Sequence, residues 1–339
     1  MTRKPVMADV ARLAGVSHQT VSRVINGSPS IRPDTRQRVE HAIAQLGYRP
    51  NTAARALVTN RSGIIGIIGS NTGQYGPTSI QRAVEEAARD AGYFSSTVTL
   101  ASVSHQEIRG AVDHLSRLSV ESIVMVAAQQ DALNLVRSED FGVPVIVVEG
   151  DLSGVGPSVG VDQVGGARKA TQHLIDLGHT AIAYVSGPPN WPEAAGRTKG
   201  YLDAMMAARL VPRPDWHGDW SAARGYAIGQ QIADQHDITA VFVANDQMAI
   251  GILHALAEAG RSVPGDVSVV GFDDIPEAAY LIPSLTTVRQ DFAAVGHRAI
   301  TLVAAQLSGT EAETALLPAD LVVRDSTAPP GGRSGGTAR

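Results

Sequence analysis

From Ile64 onward, short apolar runs alternate with longer segments whose apolar residues recur every three or four positions. The runs are strand candidates: Ile64 to Ile68, Ser96 to Leu100, Ser122 to Val126, Val145 to Val148, Ala181 to Val185, Ala240 to Val243 and Val267 to Val270. Helical patterns such as Ser79 to Ala91 and Gly165 to Leu177 lie between them. A strand that is apolar on both faces needs cover on both, and an intervening helix brings the chain back to pair such strands in parallel. The alternation therefore predicts a doubly wound α/β body, and its length fits two lobes better than one. The tail Ala328 to Arg339 (APPGGRSGGTAR) has no core to join and is expected to be disordered.

Residues 1–50 follow a different rule. Val6 to Ala14 reads as a short helix with Val10 and Leu13 on one face and Ala11 and Ala14 beside them, stopping at Gly15. Ser17 is placed to cap a second helix whose buried stripe is Val21, Val24 and Ile25, up to Asn26-Gly27. A third starts at Pro33, a good first helical residue, and runs through Val39, Ile43 and Leu46 to Gly47. Two helices separated by only Gly15-Val16, closed by a third, make a helix-turn-helix. Residues 51–61 read as a hinge or linker with one helical turn after Pro50.

Charge divides the chain at the same place. Residues 1–61 carry ten Lys and Arg against three acids, which leaves 18 basic and 30 acidic residues in the remainder. A basic head on an acidic body points to a polyanion partner for the head alone, since Lys and Arg displace counterions from phosphates. There is no cysteine, which excludes disulfides and thiolate metal sites. The chain opens MTRKPVMADVARLAG, without the apolar core of a secretory signal, and no stretch is long and apolar enough to span a bilayer. The expectation is a cytoplasmic, nucleoid-associated protein with no membrane partner, no cofactor and no metal.

The second helix presents His18, Gln19 and Arg23 near its N-terminus, on the side away from Val21 and Val24. Arg pairs with guanine and Gln with adenine in bidentate geometry, each contributing about 1–3 kcal/mol of discrimination. Ser17, Thr20, Ser22 and Asn26 suit phosphates, which set register without reading bases. The stretch Ala8 to Gly27 (ADVARLAGVSHQTVSRVING) closely resembles the headpiece of the lactose-repressor/galactose-repressor family, and the likeness continues through Arg49-Pro50-Asn51 and Ala53-Ala54-Arg55-Ala56-Leu57. His18 stands where the lactose-responsive branch carries a tyrosine. The resemblance implies that Asn51, Ala54 and Leu57 also meet DNA, with Leu57 wedged into the minor groove at the operator centre. Such a wedge unstacks a base step and kinks the duplex. A helix from Asn51 to Val58 is too short to stand alone, so it would order only when two copies pack on DNA. A homodimer and a pseudo-palindromic double-stranded operator follow.

The likeness extends to Gly218 to Ala222, Val243 to Gly251, Ser268 to Asp274 and Pro283 to Phe292. It implies a two-lobed body over 62–327, shaped like a periplasmic sugar-binding protein. The N-lobe would span about 62–161 and 291–318, and the C-lobe about 162–290 and 319–327. Linking segments would cross near Gly160 to Gln163, Val288 to Phe292 and Leu316 to Val322. Ligands of open α/β sheets sit outside the carboxyl ends of strands. Asn245-Asp246 and Asp273-Asp274 follow two strand candidates and fall at that rim. A sugar needs acceptors and donors for its hydroxyls and an apolar wall for its C–H face. Asn245, Asp273, Arg197 and Gln290 supply the first, Trp220 and Phe292 the second, and all six match effector-contacting positions of the family. Asp246 and Asp274 read as structural.

The N-lobe departs from the pattern. A pocket arginine is replaced by Val103, a pocket aspartate by Glu149 and a pocket serine by Glu193, while the loop Gly73 to Thr78 keeps Pro77 but carries Gln74 and Tyr75. Tyr75, Pro77, Glu149 and Glu193 complete the expected effector site, and galactoside specificity is not carried over. The expected function is a repressor of carbohydrate-utilisation genes, released from its operator by a sugar or glycoside. A corepressor-dependent regulator with a purine-like effector, or a sugar-binding protein without a transcriptional role, are the alternatives. Glu149, Glu193, Asp273 and Asp274 invite comparison with a glycosidase pair, but the motifs GxxxxGK[ST], HExxH and GxSxG are absent, so no enzyme is expected. PPGGRSGGTAR has no leucine-rich tetramerising pattern, which points to a dimer.

Overall fold

The computed structural model describes residues 5–25, 27–48, 61–70, 73–126, 130–138, 140–148, 156–213, 216–311 and 313–331. It forms two compact units, Met1–Gly63 and Ile64–Arg339. Among the described residues the first holds three helices: α1 (Met7–Ala14), α2 (His18–Ile25) and α3 (Pro33–Leu46). Gly15 and Gly47 take left-handed backbone angles that end α1 and α3. Ser17 accepts the Thr20 amide at 3.2 Å, supplying the start of α2. Val10, Ala11, Ala14, Val21, Val24, Val39, Ala42 and Tyr48 make the core. Leu13 was expected on the core face of α1 and is instead 47% exposed. At 100° per residue it lies beyond the Val10, Ala11 and Ala14 stripe.

The second unit contains two sheets. The first is ordered β11-β5-β4-β3-β1-β2, from β1 (Ile64–Ser70), β2 (Phe94–Leu100), β3 (Ser122–Val126), β4 (Val145–Val148), β5 (Ser158–Val161) and β11 (Ala315–Leu317). The second is ordered β12-β10-β9-β8-β6-β7, from β6 (Ile182–Ser186), β7 (Trp216–His217), β8 (Ala240–Val243), β9 (Ser268–Asp273), β10 (Thr286–Arg289) and β12 (Asp320–Val322). All pairings are parallel except β10 with β12. β3, β6 and β9 are buried along their whole length, as parallel strands covered on both faces must be.

The cover comes from α4 (Tyr75–Asp90), α5 (His105–Arg117), α6 (Gln130–Ser138), α7 (Gln163–Asp176), α8 (Pro192–Ala207), α9 (Ala222–Ala233), α10 (Asp246–Glu258) and α11 (Phe292–Leu307). Between β5 and α7, β10 and α11, and β11 and β12 the chain passes from one sheet's lobe to the other's. These passages bring the carboxyl ends of strands from both sheets to one cleft. α4 begins four residues before the expected Ser79, which places Tyr75 and Pro77 in its first turn. β9 runs three residues beyond the expected Val270, so Asp273 is its last residue.

The expected disordered tail also needs correcting at its start. The Ala328 amide donates to Ser268 Oγ at 3.0 Å, and its carbonyl lies 2.9 Å from His179 Nε2. An extended segment needs no core of its own when its backbone groups are paired by an existing lobe. Residues 332–339 lie outside the described residues.

Candidate functional site

In the first unit, α2 buries Val21 and Val24 and turns Ser17, His18, Gln19 and Arg23 to solvent, with Thr20 and Ser22 half-buried. Ser17 Oγ also lies 3.0 Å from Thr20 Oγ1, so the cap residue contacts both the amide and the hydroxyl of Thr20. The result is an exposed row of donors and acceptors on one helix face. Asn26, Asn51, Ala54 and Leu57, named above for the same role, lie outside the described residues, as does Glu149 of the effector set.

The body has a cleft of about 520 Å³, counting the part open to solvent. Tyr75, Pro77, Glu193, Arg197, Trp220, Asn245, Asp273, Gln290 and Phe292 all line it. They arrive from separate elements: Tyr75 and Pro77 from the start of α4, Glu193 and Arg197 one turn apart on α8, and Phe292 from the start of α11. Asn245 is the N-cap of α10, its Oδ1 accepting the Met248 amide at 3.1 Å and its Nδ2 donating to the Trp220 carbonyl at 3.1 Å. Trp220 sits at φ +73° and Asp273 at φ +118°, conformations costly for residues with a side chain. Gly187 lies under the Trp220 indole, where any Cβ would collide with the ring. A strained backbone at Trp220 and a bare glycine behind its ring leave room for the indole at the cleft wall.

At the back of the cleft is a closed polar network. Arg197 Nε donates to Gln163 Oε1 at 2.8 Å, and its Nη1 to the Ala244 carbonyl. Its Nη2 pairs with Asp273 Oδ1 at 3.5 Å. Gln163 Nε2 donates to Gln290 Oε1 at 2.9 Å, and Gln290 Nε2 to Asp273 Oδ1 at 2.7 Å. The Arg197 guanidinium also lies 3.9 Å from the Phe272 ring centre and 5.5 Å from that of Trp220. Burial pushes Asp273 up to about 6, even though Arg197 and the Gln290 hydrogen bond pull it down. Burial also raises the Tyr75 phenol, with the Asp273 charge adding to it.

Asp246 and Asp274 do not line the cleft. Asp246 accepts the Ile275 amide at 2.9 Å and the Thr287 hydroxyl at 2.6 Å, and burial holds its carboxyl well above the usual range, the Asp273 charge adding to it. Asp274 accepts Arg289 and Arg324, each at 2.6 Å. Both aspartates therefore tie the β9 turn to its neighbours.

Two models of known families match: bacterial regulatory proteins of the lacI family over residues 6–51, and the periplasmic binding protein-like domain over 171–327. The lactose operon repressor of Escherichia coli (strain K12) is 36% identical over 336 residues, covering 96% of this chain and 92% of that protein. This chain belongs to the LacI family. Among solved structures, the lac repressor dimer bound to operator and the anti-inducer ONPF superposes with a TM-score of 0.86 at 32% identity, covering 96% of this chain and 100% of that one. The complex of the transcriptional regulator CelR with cellobiose gives 0.71 at 32% identity, covering 95% and 99%.

Within this LacI-family body, several cleft residues escaped the sequence reading. Gly76, Ile80, Val126 and Trp191 also line the cleft, as does Gln74 of the loop noted above, and Gln163 joins its polar network. Trp191 stands at the N-cap of α8, edge-on to Trp220 with ring centres 5.8 Å apart. A tryptophan just beyond the end of a strand, in PPNWPE, was the available signal. Val103, at the place of the family's pocket arginine, instead packs on the core that contains Ile68 and Leu100.

Proposed function

We propose that this chain is a dimeric transcriptional repressor of carbohydrate-utilisation genes, released from operator DNA when a sugar or glycoside occupies the cleft. The observation that carries the reading is the pairing of two surfaces in one chain. A basic unit exposes the polar face of α2, and an acidic body holds a cleft of aromatic rings and buried polar side chains. In this reading residues 1–50 read DNA, 51–61 form the hinge, and 62–327 bind the effector and dimerise. His18, Gln19 and Arg23 meet base edges. Ser17, Thr20, Ser22 and Asn26 meet phosphates, and Asn51, Ala54 and Leu57 act at the operator centre. Tyr75, Pro77, Glu149, Glu193, Arg197, Trp220, Asn245, Asp273, Gln290 and Phe292 contact the effector. Such a protein works in the cytoplasm, at the nucleoid, and turns over no substrate.

The effector is read as a sugar because the cleft combines acceptors, donors and apolar rings rather than one dominant charge. A ligand bridging the walls favours the body conformation that fits it, and coupling of about 1–3 kcal/mol between cleft and headpiece is enough to vacate many operators. Fluorescence anisotropy on operators recovered by genomic selection, titrated with saccharides at fixed salt, tests the reading. Tight binding released by a saccharide is expected, and Arg23→Ala should weaken the specific complex by about tenfold to a hundredfold. Selected duplexes bound no more tightly than random ones would remove the DNA-reading assignment. An effector that tightens binding would turn the reading to a corepressor.

A further inference from the structure

We infer that the cleft selects a saccharide of two rings, with Trp191 and Glu193 building the subsite for the second ring. The inference rests on the effector reading above and deepens it. The cleft has two aromatic corners. Tyr75 and Phe292 meet edge to face with ring centres 5.9 Å apart, and Trp191 and Trp220 do the same at 5.8 Å. Each corner has polar groups of its own. Beside Tyr75 is Asp273, close enough for its charge to act on the phenol, with Gln290 bonded to it. Beside Trp191 is Glu193, two residues on, only 6% exposed and lining the same cleft. Arg197 stands between the corners, paired with Asp273 and 5.5 Å from the Trp220 ring centre.

One further observation points to a ligand at the second corner. The Trp220 indole N–H is buried and meets no acceptor among the described residues. Buried donors are almost always satisfied, and a tryptophan N–H in a binding wall is satisfied by a partner molecule. A pyranose ring supplies what this corner needs. Its C–H face covers an indole, a ring or bridging oxygen accepts from Trp220 Nε1, and a hydroxyl donates to the Glu193 carboxylate. The Tyr75–Phe292 corner offers the same combination to another ring. A single ring fills one corner and leaves the other wet.

The chain has three tryptophans, Trp191, Trp216 and Trp220, and two of them line the cleft, so intrinsic fluorescence of the full-length protein reports occupancy without DNA. Cellobiose, lactose, gentiobiose and maltose are titrated against glucose and galactose. At least one disaccharide should bind about tenfold or more tightly than either monosaccharide. Trp191→Ala, and separately Glu193→Gln, should bring that disaccharide to within about threefold of the monosaccharides while thermal melts remain cooperative. Monosaccharides binding as tightly as every disaccharide, or both variants weakening one-ring and two-ring ligands alike, overturns the inference while leaving a sugar effector intact. Emission that responds to hypoxanthine but to no saccharide removes the sugar reading itself, and the second-ring subsite with it.

Discussion

The recognition helix and the cleft handle polar side chains in opposite ways. On α2, Ser17, His18, Gln19 and Arg23 stand in solvent, with Ser17 ordered by its local contact to Thr20. In the cleft, Gln163, Arg197, Asp273 and Gln290 are buried and bonded to one another, and the buried Asn245 is bonded to the Trp220 carbonyl and the Met248 amide. DNA brings a dense array of charge, so a surface that reads it can wait hydrated and gain affinity by releasing counterions. A small neutral ligand brings no such reserve. Its partners must be held dry and in place beforehand, and a dry polar group without a partner is costly. Substitutions on α2 should therefore change affinity and spare stability, whereas substitutions in the cleft should change both.

The largest effect expected from that contrast is at Asp273. Asp273→Ala leaves the Arg197 guanidinium buried without a counter-charge, and breaking a buried pair in this way costs about 3–5 kcal/mol. Arg197→Met should cost less, because the abandoned carboxyl can take up a proton while a guanidinium cannot lose one. Urea denaturation of the two variants at pH 7 measures the difference. Equal losses would mean that the Gln163 and Ala244 contacts alone sustain Arg197. An Arg23→Ala variant denatured alongside should match the parent within about 0.5 kcal/mol.

A somewhat smaller effect is set by pH. Asp273 is raised to about 6 in the folded chain from 3.8. Between these values the folded carboxyl is protonated and the unfolded one is ionised, so the folded state holds the extra proton and stability falls as pH rises. The contribution is complete below about pH 4 and gone above about pH 6, and amounts to about 3 kcal/mol. Asp273→Asn should remove this slope from urea midpoints measured between pH 4 and 7. Asp246, also raised by burial, adds a slope of the same sign that survives in that variant. A ligand hydroxyl donating to Asp273 favours the ionised form, so effector affinity should increase as pH rises through 6. Affinity that falls over that range would mean that the protonated carboxyl is the donor.

Much of the fold was legible because its central strands are apolar on both faces: β1, β3, β4, β6 and β8 lie within a residue or two of where the composition places them. β5, β7, β10, β11 and β12 were not read as strands. They span two to four residues, several with polar side chains, and too few positions exist in such segments for any period to show. They form because longer strands already present a free edge. The cleft was legible in proportion to how local its signals are. Asn245 and Asp273 follow strands and could be placed at the rim from order alone, while Arg197, Gln290 and Phe292 depended on family likeness. Trp191 was missed because PPNWPE reads as a turn, and its burial comes from contact with Trp220, which is distant in sequence. Gln163 was read as a crossing residue, and its part in the network depends on Gln290 in another crossing.

The smallest effects sharpen the contrast from within the headpiece, where one helix-turn-helix holds a residue that was placed correctly and one that was not. Ser17 Oγ accepts the Thr20 amide at the start of α2, so Ser17→Ala should cost about 1 kcal/mol of headpiece stability. Leu13 has the composition of a core residue and the position of a surface one, so Leu13→Gln should stay within about 0.5 kcal/mol. Thermal melts of both variants, followed by far-ultraviolet circular dichroism, separate the two. If Leu13→Gln proves the costlier, the exposed leucine is covered by something outside the three-helix core, and the division between a solvated reading face and a dry cleft would have to be redrawn on the α1 side.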